Sequence, residues 1–313
     1  MINGILDRQT HHESETPGNM PDTRPVISIG MPVYNGEAHL AAALDSLLAQ
    51  SFRQFEIIIS DNCSSDATPR IVAQYAARDA RIRCIRQTEN IGGLPNFRFV
   101  LEAAKCEFFM WAAYDDWHDR DYLAALHGAL SADSELQMAA PRIVRVRMDG
   151  GIAGISEMPP LRKVMRIRRV IAMLSASAGG MFYGLYRLDA IRAAFERAER
   201  DFPYVWAADH LTMLPFFING RAIGVPQTSF YNRETGLSEG RYRPRTARQS
   251  WVFLRKFLGF YIKEVVRSRL AFWEKAICLA YLPVYSNAKA VKWRRLLART
   301  LTGDGGAMGK EAG

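Results

Sequence analysis

Apolar residues run without interruption from Val26 to Gly30 (VISIG), the pattern of a strand buried on both faces, and Pro32 is expected to end it. Leu40, Leu44, Leu47 and Leu48 then recur at i, i+4, i+7 and i+8, which puts them on one stripe of a helix. Phe55 to Ser60 (FEIIIS) predicts a second strand. After it come the turn cluster DNCSSD and a helix that Thr68 would cap, with Pro69 at its first position. Ile82 to Arg86 predicts a short strand, and the NIGG turn opens a helix through Asn96 and Leu101. Glu107 to Ala112 predicts a further apolar strand, ending at Asp115-Asp116 and followed by a helix over Asp121 to Leu130. Strands alternating with helices at these lengths predict an α/β fold whose parallel sheet is covered on both faces. Such sheets bind ligands beyond the carboxyl ends of their strands, and Tyr34, Asn35, Asp61 to Asp66, Asn90 to Asn96 and Asp115-Asp116 all fall there. The second half is less regular. Ser175 to Tyr186 is small and aromatic, Val205 to Asn219 is apolar around Asp209, and Ala222 to Phe230 reads as another strand.

Composition narrows the picture. The chain has 313 residues, 49% of them hydrophobic and 23% charged, which suits one large domain or a domain with an appendage and excludes disorder. Its formal charge of +9 is local: Trp251 to Thr300 holds eleven Lys/Arg against two Asp/Glu. The balanced remainder argues against a uniformly basic nucleic-acid surface. Within that stretch Trp251, Phe253, Phe257, Phe260, Tyr261, Phe272, Trp273 and Trp293 interleave with cations. The spacing fits helices packed on the domain, helices lying in an anionic membrane interface, or both. Four cysteines form no CxxC pair, and the first two dozen residues lack the apolar centre of a signal peptide. No apolar run is long enough to span a bilayer. The expectation is a reduced, cytoplasmic protein, peripheral at most on the cytoplasmic face of a membrane.

Candidate chemistry is carried by carboxylates. No GxGxxG follows the first strand, and no GxxxxGKS, HExxH or GxSxG occurs. Asp61 directly follows the second strand and is suited either to accept hydrogen bonds from a nucleobase or ribose or to make an Asx turn. Asp115 and Asp116 repel each other as ions, which a divalent cation, Mg²⁺ or Mn²⁺, would relieve; a solvated turn is the structural alternative. Asp209, in VWAADHLTML, fits a general base beside apolar walls or a helix cap.

In this order the pieces resemble the family 2 glycosyltransferases. The resemblance begins at VISIGMPVYNGEAHLAAALDSLLAQSF, continues through IIISDNCSSDAT and ENIGGLPNF, and reaches FFMWAAYDDWHDRDYL at the place of the family's D-x-D motif. It thins after about Gly150 and returns at AGGMFYGLYR, WAADHLTML and YNRETGLS. It implies the GT-A fold, with a Rossmann-like, mostly parallel central sheet flanked by helices. The implied organisation is a flexible leader (1–24), a glycosyltransferase domain (25–240) with a nucleotide-binding half (25–118) and an acceptor-binding half (119–240), a helical basic and aromatic extension (241–302) and a tail (303–313).

Residue by residue, the resemblance implies that Pro32, Tyr34 and Glu37 line the base and ribose pocket, and that Asp61 binds the base with Ser64 nearby. Asn90, Gly93 and Asn96 would support the nucleotide-sugar side, joined by Tyr114. Asp115 would hold the metal on the diphosphate, and Arg233 would contact phosphate, with Ser238 at the final serine. Asp209 would be the catalytic base of an inverting transfer. Three positions depart from the pattern: Ala113 at the first D-x-D aspartate, Ala208 before Asp209, and Thr235 where a histidine can occur. The implied donor is a UDP- or dTDP-sugar, and the acceptor a saccharide or lipid-linked saccharide of surface polysaccharide assembly. Residues 251–300 would touch an anionic membrane. A non-catalytic sugar-nucleotide-binding scaffold and a nucleotidyltransferase are the rival readings.

Overall fold

The computed structural model describes residues 24–159, 164–235 and 242–302. The leader up to residue 23, Ser238 and the tail from residue 303 therefore lie outside the described residues. Strand β1 (Ile27–Val33) is buried along its whole length and lies between β2 (Phe55–Asp61) and β4 (Phe108–Trp111), with β3 (Ile82–Arg86) outside β2. All three pairings are parallel, with Ile29 opposite Ile57 and Met110. Burial on both faces explains why these strands read as continuous apolar runs. Helices α1 (Leu40–Leu48), α2 (Thr68–Ala76) and α3 (Gly93–Ala103) connect them, and α1 buries Leu40, Leu44 and Leu47 as its spacing predicts.

Two local expectations are corrected. Pro32 does not end β1; it pairs with Ser60 inside the strand. The β4 partner stops at Gly30–Trp111, so position 32 has only β2 beside it and behaves as an edge, where a missing N–H is tolerated. Thr68 does not cap α2, since Ala67 is the cap residue; the Thr68 hydroxyl instead accepts the Gly36 N–H at 2.8 Å.

Beyond β4 the sheet continues through β8 (Leu185–Arg187), β6 (Met138–Val146), β9 (Ala222–Arg233) and β5 (Trp117–His118), with β7 (Ile152–Ser156) paired to β6. Only β6–β9 is parallel among these pairs, so parallel pairing dominates the first half and mixed pairing the second. Helices α4 (Tyr122–Ser131), α5 (Arg166–Ala176), α6 (Leu188–Asp201) and α7 (Ala208–Ile218) pack around this half, and a 3₁₀ turn spans Gly179–Tyr183. Helices α8 (Ala247–Arg267), α9 (Phe272–Lys289) and α10 (Trp293–Thr302) follow. Phe253, Phe257, Phe260 and Tyr261 of α8 are buried, and Phe202 packs edge-on to Phe253 and Phe257. That aromatic stripe is core.

His118 in β5 is 5% exposed, and neither ring nitrogen has a hydrogen-bond partner among the described residues. Burial holds its pKa down at about 3, so the folded protein keeps it neutral. The unfolded chain binds this proton below about pH 6.5, so stability is lost as pH falls from there toward 3, by about 1.4 kcal/mol per pH unit from this group. His118→Leu is expected to flatten the acid side of the stability curve measured by urea unfolding between pH 6 and 4. Equal slopes in the two proteins would refute the assignment.

Candidate active site

The topological switch point lies between β1 and β4, where the chain leaves β1 toward β2 on one side and enters the other half through β4. The loops after β1 and β2 are laced together there. Asn35 N–H donates to Ser64 Oγ at 2.9 Å, Ser65 N–H to Asn35 Oδ1 at 2.9 Å, and Ala67 N–H to Glu37 Oε2 at 2.8 Å. Asn35 and Cys63 both take positive φ, 50° and 60°, to make these turns.

Asp61 ends β2 with its side chain 1% exposed. Its Oδ1 accepts the Ser64 N–H at 3.0 Å, while Oδ2 lies 3.5 Å from Arg86 Nε and accepts no hydrogen bond among the described residues. A buried carboxylate oxygen without a donor is costly and suits a ligand N–H. Tyr34 is half-buried at the same edge, and Pro32 is buried below it. Glu37 is exposed, with its carboxylate at the start of α2. Asn90 Oδ1 accepts from Asn62 Nδ2 and Gly92 N–H, each at 2.9 Å, and Gly93 opens α3. Asn96 is buried and bonded twice to Ser60, so it ties α3 to β2.

Asp115 and Asp116 follow β4 and point to different partners. Asp116 is 3% exposed; it accepts Asn232 Nδ2 at 3.0 Å and the Arg233 N–H at 2.7 Å, which fastens the end of β9. Burial first, and Asp115 second, push its pKa up to about 7. Burial also raises the Asp115 carboxyl, opposed by its own backbone N–H and by His39 and Arg233. Arg233 donates Nε to the Asp115 carbonyl at 3.0 Å and lies over the Trp117 ring at 5.0 Å. Tyr114 packs so closely on Gly36 that a Cβ there would stand 2.8 Å from its ring, which joins the β4 turn to the β1 loop.

Asp209 lies in the first turn of α7, after Ala207 at φ 63°, and its Oδ1 accepts the His210 N–H at 2.8 Å. A helix N-terminus favours the carboxylate there. Gly179 presses on the other oxygen: a Cβ on Gly179 would stand 2.5 Å from Asp209 Oδ2. Tyr183, which closes the same 3₁₀ turn, connects the two halves. Burial raises its phenol well above the ordinary range, and Asp116, Asp115 and Asp209 all add to that rise. One ring therefore feels the β4 carboxylates and the α7 carboxylate together. Asp61 reaches this group through Ser64, Asn35, Gly36 and Tyr114.

The sequence profile of the family described as "Glycosyl transferase family 2" matches residues 28–198, more than half of the chain. The chain belongs to that family. Among relatives of this glycosyltransferase domain is TuaG of Bacillus subtilis, assigned by name to teichuronic acid biosynthesis, 33% identical over 104 residues that cover 33% of this chain and 41% of TuaG. The chain spans about two fifths of the length of the first curated relatives that it matches, 39%. Among solved structures, Staphylococcus aureus TarS in complex with UDP-GlcNAc superposes with a TM-score of 0.61 at 18% identity, over 88% of this chain and 76% of that one. A mannosyltransferase of Pyrobaculum calidifontis, in complex with GDP-Man and Mn²⁺, gives a TM-score of 0.53 at 17% identity, over 90% and 76%. These likenesses establish the GT-A fold.

In this family 2 domain, no group of three His, Cys, Asp or Glu side chains among the described residues could cage a metal. Among the described residues Asp115 could hold a hard divalent ion that keeps waters and takes phosphate oxygens as its other ligands, since its carboxylate is desolvated and not hydrogen-bonded to another side chain. Ala113 is buried, Thr235 N–H donates to the Arg233 carbonyl, and Glu234 turns to Arg145 at 3.7 Å, so none of these three replaces a ligand. Two residues near Asp209 escaped sequence reasoning. Tyr183 had a faint signal in the small and aromatic GGMFYG. Lys289, eighty residues on, had none: its Nζ donates to the Ser177 carbonyl beside the 3₁₀ turn, and it interacts with Asp209.

The two neighbouring carboxylates should separate in a stability measurement. Asp116→Ala leaves the Asn232 amide and the Arg233 N–H without their acceptor and is expected to cost about 1–3 kcal/mol in urea unfolding. Asp115→Ala removes a desolvated charge with no side-chain donor and should stay within about 0.5 kcal/mol of wild type. Equal losses would contradict the division of roles.

Proposed function

We propose that the protein is an inverting glycosyltransferase that moves a sugar from a nucleotide-sugar donor, UDP- or dTDP-linked, to a saccharide or lipid-linked saccharide acceptor. The observation that carries this reading is that the β4 carboxylates and Asp209 share one neighbourhood: Asp116, Asp115 and Asp209 all raise the Tyr183 phenol, and Gly179 of the same 3₁₀ turn stands against Asp209, at the switch point of a family 2 domain. The base would sit over Asp61, whose Oδ2 is free to accept an imide N–H. Tyr34 and Tyr114 would flank the nucleoside, and the glycine-opened N-terminus of α3 at Gly93 would face the donor. Arg233 would approach phosphate from the end of β9.

Asp209 would take the proton of the acceptor hydroxyl as its oxygen forms a bond to the anomeric carbon from the face opposite the leaving group. The bond from that carbon to the phosphate oxygen breaks, and the nucleoside diphosphate departs with the electron pair, so the configuration inverts. Gly179 and the Lys289–Ser177 bond hold Asp209 against one wall, which fixes its oxygen for that proton transfer. Mg²⁺ or Mn²⁺ held by Asp115 would supply Lewis-acid neutralisation of the diphosphate. The kinship with TuaG supports a place in surface polysaccharide assembly.

A binding scaffold without turnover is the second reading, favoured by Ala113 and Ala208. Transfer assays and calorimetry separate the two. Asp209→Asn is expected to lower transfer by about a thousandfold or more, as loss of a general base does, with nucleotide affinity within a few-fold of wild type. Asp115→Ala should instead weaken nucleotide binding in Mn²⁺ and remove the effect of a chelator. Binding without turnover, unchanged by Asp209→Asn, would replace the transferase reading with the scaffold.

A further inference from the structure

Helices α8 to α10 are polarised in a way the sequence alone did not reveal. Residues 242–302 contain only two carboxylates, Glu264 and Glu274, and both are buried. Glu274 is taken by Arg166 and the Ala271 N–H, and Glu264 by Arg197 at 3.4 Å and Arg267 at 3.2 Å. Against them stand fourteen Lys and Arg, so every solvent-facing charge of this segment is positive.

The outer face of α9 adds an apolar counterpart. Phe272, Trp273, Ala276, Ile277, Ala280 and Val284 all face solvent there, and none of the six is polar. Phe272 is 89% exposed and Trp273 51%, and Val266, at the adjoining end of α8, is 60% exposed. Arg267 and Arg269, in the connection from α8, are exposed at this end, while Lys263 one turn earlier pairs with Asp201 at 3.1 Å. The opposite face of the same helix carries Tyr285, whose hydroxyl reaches the His210 carbonyl, and Lys289 on the Ser177 carbonyl.

We infer that α9 lies flat on an anionic lipid surface, with Phe272, Trp273, Ile277 and Val284 entering the acyl boundary and the flanking Arg and Lys meeting headgroup phosphates. The charge decides the occupant. A second copy of this face would bring two cationic rims together, and a nucleic acid, whose bases could stack only on Phe272 and Trp273, gives Ile277, Val284 and Val266 nothing apolar to enter. An anionic bilayer accepts both the cations and the apolar ridge. The arrangement rests on and deepens the transferase reading: the helix that would meet lipid on one face carries on the other Lys289, which interacts with Asp209, and Tyr285, on the His210 carbonyl, so docking would hold the enzyme beside a membrane-held acceptor. Docking itself needs neither donor nor acceptor.

The test is co-sedimentation of the full chain with vesicles of phosphatidylcholine alone or with roughly one-third phosphatidylglycerol. Wild type is expected to bind the anionic vesicles and to be released by high salt. The double variant Phe272→Ser, Trp273→Ser, whose thermal melt should match wild type because both side chains are exposed, is expected to bind about tenfold more weakly or worse. Wild type left in the supernatant, equal binding by the variant, or equal binding to neutral vesicles would overturn the proposal. Binding to a soluble polyanion such as heparin but not to vesicles would overturn it in favour of an acidic macromolecule. A protein inactive in transfer that still binds vesicles retains the docking inference, whereas an active one that does not bind loses it alone.

Discussion

Asp115 and Asp116 leave β4 as neighbours, and two ionised carboxylates in a partly desolvated turn repel strongly. The chain meets that repulsion by giving them different work. Asp116 turns inward and accepts two donors from the end of β9, which joins the parallel half of the sheet to the mixed half. Asp115 is left desolvated and without a side-chain hydrogen-bond partner among the described residues. The joint that closes the sheet thus also leaves a carboxylate at its switch point. Arg233 follows from the same clip, since its backbone is fixed by Asp116 while its guanidinium reaches the Asp115 carbonyl.

The parallel half was legible because its strands are buried on both faces, so long apolar runs have no competing reading, and α1 and α3 appear where spacing predicts them. The second half was hidden for the same physical reason reversed. In β7 (IAGIS) most positions are partly exposed, and β6 carries Pro141 and two arginines, so neither shows a clean period. Pro32 and Thr68 were misread because their roles depend on partners in another loop: where β4 stops, and where Gly36 needs an acceptor. Asp61, Asp115 and Asp209 were visible as strand-end or helix-start carboxylates. That Asp116 rather than Asp115 would be the structural one was not, because the choice lies with Asn232, more than a hundred residues away.

The match to the family ends at residue 198, before Asp209, Arg233 and Lys289. That boundary has a chemical logic. A nucleotide diphosphate presents the same groups to every enzyme that uses it, so the loops that would hold it can keep one sequence pattern. An acceptor varies, and under the transferase reading the segments around Asp209 would answer to its shape. They are built from the 3₁₀ turn, which lies inside the match, and from α7 and α9, which lie beyond it, with Lys289 and Tyr285 of α9 packed toward the start of α7. Because α9 packs there with one face and shows a charge-free apolar ridge on the other, a contact on its outer side bears on the helix that positions the α7 carboxylate. The burial of both Glu264 and Glu274 fits this economy: each neutralises a cation from the domain, and the outer surface is left wholly cationic.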